Sequence, residues 1–118
     1  MYVLKFSGDA VADIKAAIAK NLKGPLRKEL VDKVAIDPLG RSHELHEDLV
    51  GYRSFTWRQY RVVYKVFEDL RAIAVLGIGL LSSQSAENIY RKLEALARTG
   101  ELAQGVLFSL RGFTKGKP

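Results

Sequence analysis

Three consecutive segments in the middle of the chain constrain its fold more than any other feature. YRSFTWR, QYRVVYKVF and RAIAVLGIG lie between residues 52 and 79 and are rich in aromatic and β-branched residues. Each has the length of a strand, and Glu68-Asp69 is a candidate tight turn between the last two. Strands joined by such short connections pair antiparallel. The sequence therefore predicts an antiparallel sheet in this region.

One strand and two helices are predicted before these three segments. YVLKF (2–6) is predicted to be a short strand, and Ser7 or Asp9 can cap the helix that follows it. Two successive apolar stripes have spacings of three and four: Val11, Ile14, Ile18 and Leu22, then Leu26, Leu30 and Val34. We place the break between them at Asn21 and Gly24-Pro25, with the proline opening the second helix. The pair is expected to pack as a helical hairpin.

A final helix is predicted after the last strand, capped by Ser82 or Ser83 and ended by Gly100. Its apolar stripe consists of Ile89, Leu93 and Leu96. The order β-α-α-β-β-β-α belongs to the α+β class, and we expect the helices on one side of the sheet. Residues 1–100 form the predicted domain. Residues 101–118 are expected to add an edge strand or to be ordered by a partner.

Composition limits the classes of function. The 118 residues suit one domain, and the lack of cysteine excludes disulfides, a thiolate nucleophile and a cysteine zinc site. The chain has neither a long apolar run nor the layout of a signal peptide at its start, so we expect a cytoplasmic protein without a membrane segment. The net charge of +6 favours polyanionic partners such as RNA, DNA or an acidic protein segment.

The segment 60–67 carries the most informative charges. Its alternation places Tyr60, Val62, Tyr64 and Val66 on one face and Arg61, Val63, Lys65 and Phe67 on the other. The first face is expected to be core. On the second, Arg61 and Lys65 are about 13–14 Å apart by strand rise. Two cations at that separation can contact neighbouring phosphates, so this face is a candidate cationic surface.

The position of Arg53 depends on the register of the hairpin. A connecting loop with an even number of residues places Arg53 on the Tyr64 face, and an odd number places it beside Arg61. The WRQY turn has no Gly, Asn or Asp to decide between them. We expect the odd-numbered loop, because burying an arginine beneath helices is costly without a partner. Arg58 is expected to be a solvated turn residue.

The remaining polar motifs give weaker indications. His43 and His46 are separated by two residues, whereas a metalloprotease needs HExxH on a helix, so we expect a surface loop and no metal. Gly77-Ile78-Gly79 lacks the setting of a nucleotide-binding loop and is expected to end a strand. Three serines follow it without an identifiable base: Ser82, Ser83 and Ser85.

Together, these features resemble the RelE/ParE superfamily of toxins from bacterial type II toxin-antitoxin systems. The resemblance covers residues 2–94 and rests on the opening strand and helical hairpin, Asp37-Pro38, HELHEDLVGYRSF, QYRVVYKV and the closing helix with Tyr90. YRVVYKV is its most characteristic piece. The resemblance implies a RelE-like fold and a cognate antitoxin as partner.

The resemblance also implies an activity and its residues. RelE-like toxins cleave mRNA in the ribosomal A site without a metal or cofactor, through attack by the 2′-OH of the RNA and cations that stabilise charge on the phosphate. The resemblance implies that Arg61, Arg53 and Tyr90 are the catalytic residues and that Tyr90 acts as a base. Lys65 and Arg58 are then assigned to binding RNA phosphates.

One departure leaves other functions open. RelE-type enzymes carry an arginine just after the last strand, but this chain has GIGLLSSQS there and no cation from Ala72 through Tyr90. Losing one such donor costs about 10²–10³ in rate. Three alternatives follow. Lys65 or Arg58 substitutes for the missing arginine, the protein inhibits DNA gyrase as ParE-like relatives do, or the protein binds only its antitoxin. The apolar tail from Val106 to Leu110 also fits a homodimer.

Overall fold

The computed structural model describes residues 1–80 and 83–110 of the chain and contains a single mixed sheet. Its strands are β1 (Val3–Phe6), β2 (His43–Glu44), β3 (Arg53–Trp57), β4 (Tyr60–Phe67) and β5 (Ala72–Leu80). Their order across the sheet is β1-β5-β4-β3-β2. β1 runs parallel to β5, and the other neighbouring pairs are antiparallel. The predicted α+β class is confirmed.

The described helices are α1 (Gly8–Ala17), α2 (Lys20–Glu29), α3 (Ser83–Thr99) and α4 (Glu101–Ser109). A π-helical turn, Leu30–Val34, extends α2, and a 3₁₀ turn, Glu47–Leu49, precedes β3. None of the helices within the described ranges is both long and apolar enough to cross a membrane. Ser82, one of the two predicted caps of α3, lies outside the described residues.

The two predicted helices form in succession, but the break between them lies earlier than predicted. The backbone leaves the helical conformation at Ile18 and Ala19, and Pro25 lies inside α2. The amide of Ala19 donates a hydrogen bond to the hydroxyl of Tyr60 in β4, 3.4 Å away, so a tertiary contact stabilises the break. Pro25 removes one amide donor from the interior of α2. At the start of α1 the cap is Ser7, whose Oγ accepts a hydrogen bond from a backbone amide.

Helices cover both faces of the sheet, which corrects the prediction of a one-sided sheet. Helices α1 and α2 pack on the face formed by Tyr60, Val62 and Tyr64. Helices α3 and α4 pack on the opposite face, in a second apolar cluster: Leu49, Val63, Ala74, Leu76, Ile89, Leu93, Leu102 and Val106. The composition of β5 explains this arrangement, because a strand without charged residues is suited to burial on both sides.

Two glycines in β5 allow α3 to approach the sheet. A Cβ atom at Gly77 would lie 3.1 Å from Cδ1 of Ile89, and one at Gly79 would lie 3.0 Å from Cβ of Ile89. Both glycines lie in the last four residues of β5, in agreement with the prediction that Gly77-Ile78-Gly79 ends a strand. A register shift beside Gly77 adds one residue, Leu76, to β5 relative to β4. The glycines thus set the distance between α3 and the sheet.

The segment after Gly100 forms a helix and not the edge strand that was one of its two predicted states. Gly100 takes a left-handed conformation, with φ of 83°, and turns the chain from α3 into α4. Leu102 and Val106, four residues apart, are both buried against α3 and β5. This helical spacing of buried residues explains the observed structure. Residues 111–118 of the predicted tail lie outside the described residues.

Candidate functional site

The β3–β4 hairpin determines which cations share a face. Trp57 pairs with Tyr60, so the turn between them contains two residues, Arg58 and Gln59. Arg53 consequently pairs with Tyr64 and lies on the α1–α2 side of the sheet. The expectation of an odd-numbered loop is therefore wrong. The turn forms without glycine because Arg58 itself takes a positive φ of 54°.

Arg53 is held by partners that the sequence did not reveal. Its Nε donates to Oγ of Ser42 at 2.6 Å, and Nη2 donates to the carbonyls of Leu39 and Ser42 at 3.2 and 3.1 Å. Glu44 lies 3.7 Å from Nη1, and the arginine side chain is only 17% exposed. These contacts offset the cost of burying the guanidinium. Arg53 thus stabilises the loop before β2. Its side chain lies on the face of the sheet opposite Arg61.

Arg61 forms the centre of a polar cluster on the α3 side. Its Nη1 donates a 2.6 Å hydrogen bond to the hydroxyl of Tyr90, which lies in α3. The same hydroxyl is 3.1 Å from Oγ of Ser54 in β3. The Arg61 guanidinium also lies over the Tyr90 ring, 5.7 Å from its centroid. We call Arg61, Tyr90 and Ser54 the arginine–tyrosine cluster.

The cluster has an unused hydrogen-bond donor. Within the described part of the chain, Nε of Arg61 is buried without a hydrogen-bond partner. A buried donor left unpaired costs about 1–3 kcal/mol. Arg61 and Tyr90 are each only partly buried, so the cluster borders on solvent. The exposed part of the Arg61 side chain is therefore accessible to an anion.

The two other predicted phosphate ligands lie apart from the cluster. Lys65 is on the Arg61 face, with its amine 5.1 Å from the ring centroid of Tyr52 and 5.7 Å from that of Phe67. Burial raises the pKa of Tyr52, so its phenol stays neutral and presents a ring rather than a charge to the lysine. Arg58 is exposed at the hairpin tip, as predicted, and lies over the Trp57 ring at 4.8 Å.

The face with Arg61 and Lys65 is not the open cationic surface that the alternation suggested. Val63 lies between these two residues along β4 and is fully buried beneath α3 and the Glu47–Leu49 turn. The apolar cluster around Val63 therefore separates the two cations. Alternation correctly gave the sides on which the residues lie, but it contained no information about which face the last helices would cover.

No metal centre accompanies these residues in the described ranges. His43 lies in β2 and His46 just after it, and both are exposed. No group of three or more His, Cys, Asp or Glu residues among the described positions is arranged to hold a metal ion.

Sequence reasoning missed Ser54 as a member of the cluster. Ser54 is buried, only 5% exposed, and pairs with Val63 on the Arg61 side. The face on which Ser54 lies could be assigned only once the hairpin register was known. Neighbouring residues of a strand point to opposite faces, so the register that places Arg53 on one face places Ser54 on the other. A serine flanked by strand residues carries no other local signal.

Solved structures of toxins have a similar fold. The matching chain of the RelBE2 toxin-antitoxin complex from Mycobacterium tuberculosis has a TM-score of 0.62 at 18% identity, over 65% of this chain and 94% of that one. The isolated RelE toxin of E. coli has a TM-score of 0.55 at 22% identity, over 78% and 99%. A YoeB/ParE toxin from Agrobacterium tumefaciens has 0.53 at 20% identity, over 64% and 94%.

These similarities establish a RelE-like fold, which confirms the fold expected from the sequence. The comparison with known protein families gave no matching family model, and the comparison with curated proteins gave no match either.

Proposed function

We propose that this protein is the toxin of a type II toxin-antitoxin pair and that it cleaves translated mRNA at the arginine–tyrosine cluster. The observation that carries the proposal is the 2.6 Å contact between Arg61 and Tyr90, made on a RelE-like fold. A fixed cation beside a phenol is a pair of groups that RNA cleavage can use.

The proposed reaction is a transesterification within the RNA. The 2′-oxygen attacks the adjacent phosphorus, a bond forms between them, and the bond from phosphorus to the 5′-oxygen breaks. The Tyr90 hydroxyl relays the proton of the 2′-OH, accepting it on its oxygen while releasing its own proton to water, and the leaving 5′-oxygen takes a proton from water. Arg61 stabilises the charge that develops on the phosphate through its guanidinium. Ser54 holds the Tyr90 hydroxyl in place.

Secondary contacts with the RNA backbone are proposed for Lys65 and Arg58. Both side chains keep a positive charge outside the cluster, and Arg58 at the hairpin tip is exposed. They would raise affinity for the polyanion without taking part in the bond-breaking step. Arg53 has no place in this mechanism, because its guanidinium is bound to the loop on the opposite face.

Primer extension on translated mRNA tests the proposal. Induction of the wild-type chain should produce new 5′ ends within coding sequences, and Arg61→Ala should abolish them. Tyr90→Phe should reduce them by about 10²-fold or more, the typical contribution of an acid–base group. Arg41→Ala is the matched control, because Arg41 is an exposed arginine in the loop that Arg53 holds. Absence of new ends with wild-type protein, or full cleavage by Arg61→Ala, would refute the assignment.

A second candidate function is inhibition of DNA gyrase without catalysis. The observation that favours it is the lack of any Lys or Arg from Ala72 through Tyr90, where the resemblance leads us to expect a catalytic arginine. A gyrase supercoiling assay separates the two candidates. Loss of supercoiling together with intact mRNA would select this function, whereas a chain inactive in both assays would be a module that binds only its antitoxin.

A further inference from the structure

An aspartate of α1 joins two other elements at the edge of β5 that faces β1. Oδ2 of Asp13 accepts a 3.0 Å hydrogen bond from the backbone amide of Ile78 in β5. Oδ1 of the same carboxylate lies 3.5 Å from Nζ of Lys92 in α3. The aspartate side chain is 17% exposed. We call these two contacts the Asp13 bridge, and they link the helices on the two faces of the sheet.

The Asp13 bridge supplies a hydrogen-bond acceptor where β1 has ended. β1 pairs with β5 only from Ala72 to Val75. Beyond Val75, no strand in the described ranges lies against this edge of β5, so the Ile78 amide has no strand partner there. A hydrogen bond to a carboxylate is about twice as strong as one between neutral groups. Asp13 therefore holds this part of β5 against α1.

The part of β5 that the bridge holds also carries α3 and borders Arg61. Ile78 lies between the two glycines on which α3 rests. The second of them, Gly79, is the register partner of Arg61 in β4. The bridge thus acts on β5 next to the arginine and, through Lys92, on the helix that bears Tyr90.

Contacts on both flanks of α3 oppose its rotation about its own axis. Successive residues of an α-helix are about 100° apart, so Tyr90 and Lys92 are about 200° apart on α3. Tyr90 reaches Arg61 on one flank, and Lys92 reaches Asp13 on the other. The glycines beneath α3 have no side chains that could resist rotation. The orientation of α3 therefore depends on both flanking contacts.

A small rotation of α3 would separate Tyr90 from Arg61. An α-helix has a radius of about 5–6 Å with its side chains, so a rotation of about 10° moves the tip of a side chain by about 1 Å. The 2.6 Å hydrogen bond would then exceed the usual upper limit of about 3.2 Å. A misplacement of about 1 Å in an active site can slow a reaction about 10²-fold.

We propose that Asp13 is a positioning residue for the arginine–tyrosine cluster. It sets the orientation of α3 through the Asp13 bridge and so holds the Tyr90 hydroxyl on Arg61. This inference rests on the proposed function for the reaction that the cluster performs, whereas the link from Asp13 to Tyr90 does not depend on RNA. The alternative is that Asp13 contributes only to the stability of the fold.

Removal of the Asp13 carboxylate is informative because electrostatics alone predicts the opposite result. Asp13 is an acid on a chain of net charge +6, so its neutralisation strengthens the general attraction to RNA. Slower cleavage by a neutral variant therefore cannot come from a weaker attraction between protein and RNA. It would have to come from the geometry of the site.

Steady-state kinetics of mRNA cleavage on programmed ribosomes test the proposal. Asp13→Ala should lower kcat per folded molecule about 10²-fold and leave KM within about twofold, because Tyr90 is misplaced while the cations remain. Asp13→Asn keeps an acceptor for the Ile78 amide and loses the ion pair, so it should lower kcat about three- to tenfold. Thermal unfolding gives the folded fraction of each variant.

Variants of the lysine separate the two arms of the bridge. Lys92→Met should lower kcat about three- to tenfold, and Lys92→Arg should keep it within about twofold of wild type by keeping the ion pair. Asp32→Asn is the matched control, because it removes the same charge from an exposed ion pair with Lys28. That control should leave kcat within about twofold of wild type.

Nuclear magnetic resonance of the free protein tests the same link without RNA. The ring signals of ¹³C-labelled tyrosine report the surroundings of the five tyrosines, and Tyr90→Phe identifies the Tyr90 signal by its loss. Asp13→Ala and Lys92→Met should move the Tyr90 signal, whereas Asp32→Asn should leave it in place. Asp13→Ala should also speed hydrogen exchange at the Ile78 amide more than at other amides of β5.

Four outcomes would overturn the proposal. They are an unchanged kcat per folded molecule in both Asp13→Ala and Lys92→Met, a loss that Asp13→Ala shows in KM alone, a loss that Lys92→Arg shares with Lys92→Met, or a Tyr90 signal that none of these variants moves. If Asp13→Ala does not fold, Asp13→Asn and Lys92→Met decide. A wild-type chain that cuts no mRNA would refute the proposed function, and the Tyr90 signal would still show whether Asp13 positions the cluster.

Discussion

The arginine–tyrosine cluster allows a quantitative prediction through a double-mutant cycle. Tyr90→Phe removes the hydroxyl that accepts from Arg61 and contacts Ser54, and leaves the ring in place. Arg61→Met removes the guanidinium and keeps an apolar stem of similar length. The two single variants and the double variant together isolate the energy of the Arg61–Tyr90 contact.

The magnitude follows from the contacts that each substitution removes. A hydrogen bond to a charged group contributes about 1.5–3 kcal/mol, and a neutral one about 0.5–1.5 kcal/mol. Both Arg61 and Tyr90 are partly exposed, so water replaces some of the lost interaction. We expect Tyr90→Phe to lower the free energy of unfolding by about 2 kcal/mol. The coupling energy between the two residues should be about 1–2 kcal/mol.

Urea unfolding at neutral pH, followed by circular dichroism, measures these free energies for all four proteins. Tyr52→Phe is the matched control, since the Tyr52 ring lies near Lys65 and its contacts are through the ring. That control should change stability by less than about 0.5 kcal/mol. A coupling energy below about 0.5 kcal/mol would refute the reasoning, because the contact between Arg61 and Tyr90 would then not be a significant interaction in solution.

Three further predictions concern other parts of the fold. Burial raises the pKa of Tyr64, whose hydroxyl donates to the Pro38 carbonyl at 2.7 Å. Tyr64→Phe should therefore cost about 1–2 kcal/mol at neutral pH, measured by urea unfolding. The contribution of the neutral phenol to the free energy of unfolding is complete below about pH 10 and is lost as pH rises through the raised pKa of the folded state. The difference in free energy of unfolding between wild type and Tyr64→Phe should therefore narrow above about pH 10. Gly79→Ala should destabilise by about 1–3 kcal/mol, because its Cβ would crowd Ile89, and thermal unfolding would measure this. Arg53→Met should cost about 2–3 kcal/mol in urea unfolding through its lost hydrogen bonds, yet leave mRNA cleavage per folded molecule unchanged.

Each of these predictions has a control or a contradicting outcome. If the difference in free energy of unfolding between wild type and Tyr64→Phe widened above about pH 10, the prediction would be contradicted. Gly105→Ala, inside α4, is the control for Gly79→Ala, because its Cβ would make an ordinary contact 4.0 Å from Ser7, and it should stabilise by about 0.5–1 kcal/mol. Loss of cleavage by Arg53→Met with unchanged stability would restore Arg53 to the site.

Local pattern predicted most elements of this fold. The alternation in QYRVVYKVF gave β4 and its two faces, and Ser7 was one of the two caps expected for α1. These features depend on neighbours within a few residues, so the sequence contains what is needed to infer them. The break between the first two helices was predicted at the wrong residues because it depends on a distant partner, the hydroxyl of Tyr60.

The candidate site was only partly predictable. The alternation placed Arg61 and Lys65 on one face, and Tyr90 was expected near them through the resemblance. Arg53 was assigned to that face because an unpartnered buried arginine is costly, a premise that failed once Ser42 and Glu44 supplied partners. Ser54 stayed hidden for the related reason that one residue of hairpin register exchanges the two faces.

The sequence by itself determined the α+β class, the strand alternation and the excess of positive charge. The tertiary structure alone decided which cations act together and which surfaces stay open. The hairpin register separated Arg53 from Arg61, the packing of α3 on Gly77 and Gly79 brought Tyr90 to Arg61, and the end of β1 left a backbone amide of β5 to a carboxylate of α1. Such contacts join residues far apart in sequence, and their energies depend on distance and burial that local periodicity does not encode.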